Sequence, residues 1–289
     1  MTFELSGTGI WSAGLRYGDR SAAADAAAEL ESLGYSALWV PDVGGDLFAS
    51  VAGLLGATST VTIATGILNL WMHEAAETAA QHRTLTEVHG HRFLVGIGVS
   101  HAPLVNMLEA DRYRHPLAAT RAYLDGIAAS PTPIPAGDML LAALGPKMLE
   151  LARARTGGSH PYWVTPEHTA VARAALGPDA LVAPEQAVVL ETDPERARAI
   201  VRHHLSGYLS LPNYVNNWKR LGITDDDIAD GGSDRLIDSL VAWGDEAAIA
   251  ARVQEHRDAG ADHVAIQVLT DHTMDLAMPA SRRLAQALI

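Results

Sequence analysis

The chain has 289 residues, 48% of them apolar and 19% charged, with no cysteine and a net charge of −13. That length allows a large buried core, and the missing cysteines exclude disulfides, thiolate metal sites, iron–sulfur clusters and a cysteine nucleophile. The acidic balance argues against a nucleic-acid or anionic-lipid surface; a start of MTFELSGTGIWS and no apolar run of roughly 18 residues predict a cytoplasmic protein outside membranes.

In chain order, short apolar runs alternate with helical patterns. Predicted strands are Gly7 to Ser12, Ala37 to Asp42, Val61 to Leu68, Phe93 to Ser100, Met139 to Leu144, Pro161 to Thr165, Ala187 to Glu191 and His263 to Leu269. Most lack polar alternation, as parallel strands covered on both faces do. Between them, Ser21 is placed to cap AAADAAAELESL before Gly34. Glu74 to His89 ends at Gly90, and Pro146 to Thr156 ends at Gly157-Gly158. Thr165-Pro166 and Asp193-Pro194 each give an N-cap followed by proline, and Asp245 opens a helix that stops at Gly260.

Eight such units, joined by right-handed crossovers, predict a (β/α)8 TIM barrel, with an open doubly wound sheet as the alternative. Ser130 to Pro135 is a proline-rich connector, and about 211–244 carries helical material inserted after the seventh strand. Residues 1–289 are therefore expected to form one barrel with an insertion.

In a barrel, chemistry sits at the C-terminal ends of the strands. The residues there are polar and aromatic, with few charges: Trp11, Asp42, Asn69 with Trp71 and His73, Ser100 with His101, Gly145 with Lys147, and Thr165 with His168. They describe a pocket for a flat organic ring. Glu87, His89 and His91 have metal-like spacing but precede the fourth strand, at the wrong end of the barrel, so no metal site is expected. No GxSxG elbow exists. Gly96-Ile97-Gly98 lacks the third glycine and the following helix of a dinucleotide fingerprint. Leu144-Gly145-Pro146-Lys147 ends a strand and opens a helix. It reads either as an anion site with Lys147 as charge partner or as a plain turn, and Thr165 to His168 carries the same two readings.

ALWVPD after the first helix, ATGILNLW ending the third strand, QHRTLTEVHGHRFLVGIGVSH through the fourth and AALGPKMLELA at the fifth stand in one order along nearly the whole chain. In this the chain resembles the luciferase-like flavin and deazaflavin oxidoreductase superfamily, and within it the coenzyme F420-dependent branch. The resemblance implies a barrel with an insertion and a deazaflavin stacked in its mouth, with hydride transfer at C5.

It also implies cofactor contacts from Gly66, Ile67, Asn69, Gly98, Val99, Ser100, Leu144, Gly145, Pro146, Lys147, Thr165 and His168. Relatives carry a non-prolyl cis peptide at the position of Gly66-Ile67. The branch usually ends its second strand in an Asp-His pair, matched here by Asp42 followed by Val43, and supplies a glutamate where this chain has His101.

A histidine, with an ordinary pKa near 6.5, can move a proton at neutral pH, so Asp42 and His101 are the candidate catalytic residues. Pro166-Glu167-His168 stands where sugar-phosphate enzymes of the branch place cations. Together with Trp11, Trp71, Met72 and Trp163, this points to a less charged substrate.

Three functions follow: an F420-dependent oxidoreductase acting on a small organic molecule, an FMN-dependent luciferase-like monooxygenase, and a catalytically silent flavin-binding barrel, which Val43 favours. The resemblance also allows a homodimer packed through barrel helices.

Overall fold

The computed structural model describes residues 3–289. Its strands are β1 (Gly7–Trp11), β2 (Ala37–Val40), β3 (Thr62–Thr65), β4 (Leu68–Asn69), β5 (Phe93–Gly98), β6 (Met139–Leu141), β7 (Gly158–Ser159), β8 (Leu181–Val182), β9 (Glu185–Val189), β10 (Ala242–Trp243) and β11 (His263–Val268). All the pairings are parallel, in the order β10-β9-β11-β1-β2-β3-β5-β6-β7-β8, with β4 on β5. Because β8 and β9 are successive pieces of one extended stretch, β7 on one side and β11 on the other are bridged through it. The sheet therefore closes into the expected barrel rather than remaining open.

Each strand buries both faces, which explains the continuous apolar runs. On the outer face Ile10, Leu38, Val40, Ile63, Val95 and Leu141 pack under the helices. The inner face alternates small and large residues. Ala37, Ala64 and Ala265 leave room for Trp39, whose ring stacks on His160 at 4.0 Å and donates its indole N–H to His263 Nε2 at 3.1 Å. This is a filled interior rather than a pore.

Three expectations are corrected. The third strand is split, because the Gly66–Ile67 bond is cis and separates β3 from β4. The sixth strand is Gly158–Ser159 and not Pro161 to Thr165: the helix Pro146–Arg155 stops before the glycines as expected, and Gly157 N–H already pairs with Met139 O, so the strand opens there. The segment that follows turns at Trp163, with φ of 53°, and enters the helix Pro166–Leu176. The cap of the first long helix, Arg20–Ser32, is Asp19, whose carboxylate accepts from Ser21 and Ala22 N–H; Ser21 lies inside the helix. Short β8 and β10 had no sequence signal, since two residues show no periodicity.

After β9 come the helices Pro194–Leu205, Pro212–Arg220, Asp225–Ile228 and Asp234–Leu240, before β10. They have their own apolar cluster, centred on Trp218, Leu236 and Ile237. It continues into the barrel through Trp163, Ala187 and Val189. Among the described residues no helix is long and apolar enough to cross a membrane.

Candidate active site

At the C-terminal ends of the strands lies a cavity of about 220 Å3. One wall is backbone-rich: Gly66 and Ile67 from the β3–β4 bend, Val99 and Ser100 after β5, and Ala142 after β6. The wall is flat because its side chains are small or pressed into each other. A Cβ on Gly98 would stand 2.7 Å from Ile67 Cγ1, and one on Gly66 would meet Trp11 Nε1 at 2.6 Å and His160 Nε2 at 2.9 Å. The same indole donates to Gly66 O at 2.7 Å, which holds the bend in place.

Aromatic side chains line the cavity as well: Tyr162 after β7, and Tyr208 and Tyr214 from the segment after the helix Pro194–Leu205. Tyr208 and Tyr214 lie edge to face at 5.1 Å, and Tyr162 Oη donates to Gln267 Oε1 at 2.9 Å. Burial holds the hydroxyls of all three above the ordinary phenol value, so they remain neutral donors.

Asp42 lies on the cavity wall, with its carboxylate fully engaged. It accepts from Asn69 N–H at 3.1 Å and Gly44 N–H at 3.4 Å, and meets His73 Nε2 at 2.8 Å. The structure thus supplies from the loop after β4 the histidine that the second strand lacks at Val43. His101 lies across the cavity at the N-cap of the helix Ala102–Leu108, with Nε2 3.3 Å from Tyr214 Oη. Burial lowers its pKa, favouring the neutral imidazole.

Of the residues predicted for the site, Asp42, Gly66, Ile67, Val99, Ser100, His101 and Leu144 meet at the cavity. The others stand outside its wall. Asn69 is fully buried behind Asp42, and Gly98 backs Ile67. Gly145, Pro146 and Lys147 continue outward from Leu144, with Pro146 and Lys147 exposed. Thr165 and His168 are buried, and His168 Nε2 donates to Leu144 O at 3.0 Å, a bond that fixes the turn. Of the tryptophans only Trp11 lines the cavity: the Trp71 indole N–H donates to Val99 O, and Trp163 is core.

Sequence reasoning missed the three tyrosines, His160 and Arg220. The guanidinium of Arg220, at the end of the helix Pro212–Arg220, comes within 3.6 Å of where a Gly145 Cβ would stand. Nothing local in the sequence links these positions, because the contacts are made by distant chain segments, as between His101 and Tyr214 or Trp11 and Tyr162.

At the other end of the barrel, Glu87 pairs with Arg83 at 2.7 Å and His91 with Asp138 at 2.8 Å. No group of three or more metal-ligating side chains occurs among the described residues.

The cavity sits in the mouth of a closed parallel barrel, lined by backbone around Gly66, Ile67, Val99 and Ser100 and by the side chains of Tyr162, Tyr208 and Tyr214. The profile of the luciferase-like monooxygenase family matches residues 5–263, and the chain belongs to that family. Among curated proteins none matches the sequence.

Solved structures do match in fold. An F420-dependent secondary alcohol dehydrogenase in complex with an F420–acetone adduct shares 14% identity over 98% of each chain, with a TM-score of 0.76. The coenzyme F420-dependent tetrahydromethanopterin reductase of Methanopyrus kandleri shares 15% over 99% of this chain and 100% of its own, at 0.75. The oxygenating constituent of 3,6-diketocamphane monooxygenase from Pseudomonas putida, in complex with FMN, shares 14% over 100% of this chain and 97% of its own, at 0.68.

Proposed function

We propose that the chain is an F420-dependent oxidoreductase that moves a hydride between the deazaflavin and a small uncharged organic molecule, in one barrel carrying the 211–244 segment as its insertion. The observation that carries this is the joining of two unlike regions at Leu144. Inside is an aromatic cavity whose lining contains no lysine or arginine; outside, the Arg220 guanidinium stands beside Gly145, with Lys147 two residues further on and exposed. A ring with an anionic tail fits that division.

The ring would lie against Gly66, Ile67, Val99 and Ser100. Its phosphate would be held by Arg220, Lys147 and the start of the helix Pro146–Arg155, where free N–H groups and the helix dipole favour an anion. When bound, a deazaflavin supplies a two-electron hydride acceptor or donor at C5.

The chain's own residues do the rest. Trp11 fixes the Gly66 carbonyl, the tyrosines exclude water, and His101 exchanges a proton at Nε2. Asp42 is anchored by two N–H groups and by His73 from the loop after β4, and this Asp–His pair supports a catalytic barrel over the silent one that Val43 favoured.

The Gly-Pro-Lys turn favours F420 over FMN. The FMN-monooxygenase alternative rests on the family's own description. Equilibrium binding of F420 and FMN to the purified protein, side by side, tests the choice. F420 is expected to bind at least tenfold more tightly, and tight FMN binding without measurable F420 affinity would overturn it.

A further inference from the structure

We propose that a groove at the end of the barrel away from the mouth binds a small organic ammonium ion, whose N–H groups bridge Asp138 and His82 while its apolar body lies on the prolines of the Ser130 to Pro135 connector. The proposal is independent of the deazaflavin reading.

The groove has a volume of about 610 Å3, the size of a small-molecule site. The helix Ala75–His89 contributes His82, the turn before β5 contributes His91, and the connector contributes Pro131, Pro133 and Pro135, with Asp138 directly before β6. The three prolines are exposed, whereas Ile134 between them is buried and ties the connector to the core.

Asp138 places a carboxylate where water hardly reaches, since the residue is 1% exposed. A buried charge of this kind needs a partner. Its Oδ1 meets His91 Nε2 at 2.8 Å, but its Oδ2 faces His82 Nε2 at 3.6 Å, beyond hydrogen-bond length. The arginine that lines the groove, Arg83, is exposed and pairs through Nε with Glu87 at 2.7 Å.

His82 is 4% exposed, and its Nε2 is buried without a hydrogen-bond partner. Burial lowers its pKa against the pull of Asp138, so the ring is neutral. With Nε2 unpaired, the hydrogen bond to the Phe93 backbone belongs to Nδ1–H, which leaves a lone pair on Nε2. Two acceptors, an imidazole nitrogen and a carboxylate oxygen, therefore face each other across the floor of the groove.

A nitrogen carrying two or more N–H groups, seated about 2.9 Å from each, satisfies both. A positive charge on it also compensates the carboxylate, which a bridging water does not. A metal ion does not fit, because the two imidazoles approach opposite oxygens of Asp138 and do not converge on one point. An anion would meet the Asp138 charge head on. The prolines next to this floor offer apolar surface to the hydrocarbon part of an amine.

Three probes of similar shape test this on the whole protein: benzylammonium, benzyl alcohol and benzyltrimethylammonium. In protein labelled with 15N-histidine, His82 Nε2 is expected to give the signal of an unprotonated nitrogen, assigned by its loss in His82→Gln. That signal should move saturably with benzylammonium, with a Kd on the order of 1 mM or tighter, modest even for so small a ligand. Benzyl alcohol lacks the charge and benzyltrimethylammonium lacks the N–H groups, so each should bind at least about tenfold more weakly by the same signal. Asp138→Asn keeps the shape of the floor and should weaken benzylammonium by a similar factor; if that variant does not fold, the three probes decide on the wild type alone.

A proton on Nε2 in the resting protein would overturn the proposal, because the floor would then be closed by its own hydrogen bond. An Nε2 signal that stays still under benzylammonium would show a bridging water only. Equal affinity for either of the other probes would remove the charge or the N–H groups from recognition, and with them the site.

Discussion

Glu185 opens β9 inside the barrel, fully buried, with one carboxylate oxygen accepting from Trp163 N–H at 3.1 Å and the other without a partner. Burial raises its pKa from 4.5 to about 8, so it is held as the neutral acid near neutral pH. The unfolded chain gives up this proton near pH 4.5 and the folded chain only near pH 8. The stability it contributes is thus fully present below pH 4.5 and is lost as pH rises toward 8.

At about 1.4 kcal/mol for each pH unit, this one group removes about 5 kcal/mol across that span, and about 3 kcal/mol of it between pH 5 and pH 7. Glu185→Gln has the same shape and cannot ionise. Urea unfolding of both proteins, followed by tryptophan fluorescence from pH 5 to pH 8, should show the stability of the wild type falling by about 3 kcal/mol relative to the variant between pH 5 and pH 7. Parallel curves would refute the reasoning and show that Glu185 is ionised or solvated in the folded protein. The point bears on function because Tyr162, Tyr208 and Tyr214 all lie within the field of this carboxyl. Neutralising it keeps the aromatic wall free of a buried charge.

Other outcomes follow from the same geometry. His101→Ala should lower turnover of bound F420 by about a hundredfold and leave F420 affinity unchanged; an unchanged rate would remove His101 from the chemistry. In the wild type the acid limb of kcat/KM should fall below pH 6.5, because burial lowers the histidine pKa and the base form is lost only under more acidic conditions; a limb above pH 6.5 would contradict this. Arg220→Ala should weaken F420 binding by about tenfold, the effect of one charge-assisted hydrogen bond at about 1.5 kcal/mol, while binding of the dephosphorylated deazaflavin stays the same. Equal losses for both ligands would place the phosphate elsewhere.

Much of this site can be read from the order of residues alone, and the reason is local. Asp42, Gly66 with Ile67, Val99 to His101 and Leu144 all follow directly on strands, and a barrel brings strand ends together whatever the helices do. What is hidden depends on how distant segments fold over the mouth. Tyr208 and Tyr214 belong to a region with no strand signal, and their position is set by Trp218 burying itself against Trp163. His73 reaches Asp42 from a loop that no strand or helix pattern marks. Thr165 and His168 show the converse. They sit at a helix start with the composition of an anion site, yet the side chain of His168 is spent on Leu144 O. The strand expected over Pro161 to Thr165 failed for a related reason: proline has no N–H for the ladder, and the paired residues, Gly158 and Ser159, lie upstream of it.

The central claim is that one cavity takes the ring while Gly145, Lys147 and Arg220 take its anionic tail. A crystal structure with F420 tests it most directly. The account predicts the deazaflavin against Gly66, Ile67 and Val99, with a phosphate oxygen in hydrogen-bond reach of the Arg220 guanidinium. A ring bound outside the Trp11–Tyr214 cavity, or a phosphate held away from Gly145, would contradict it.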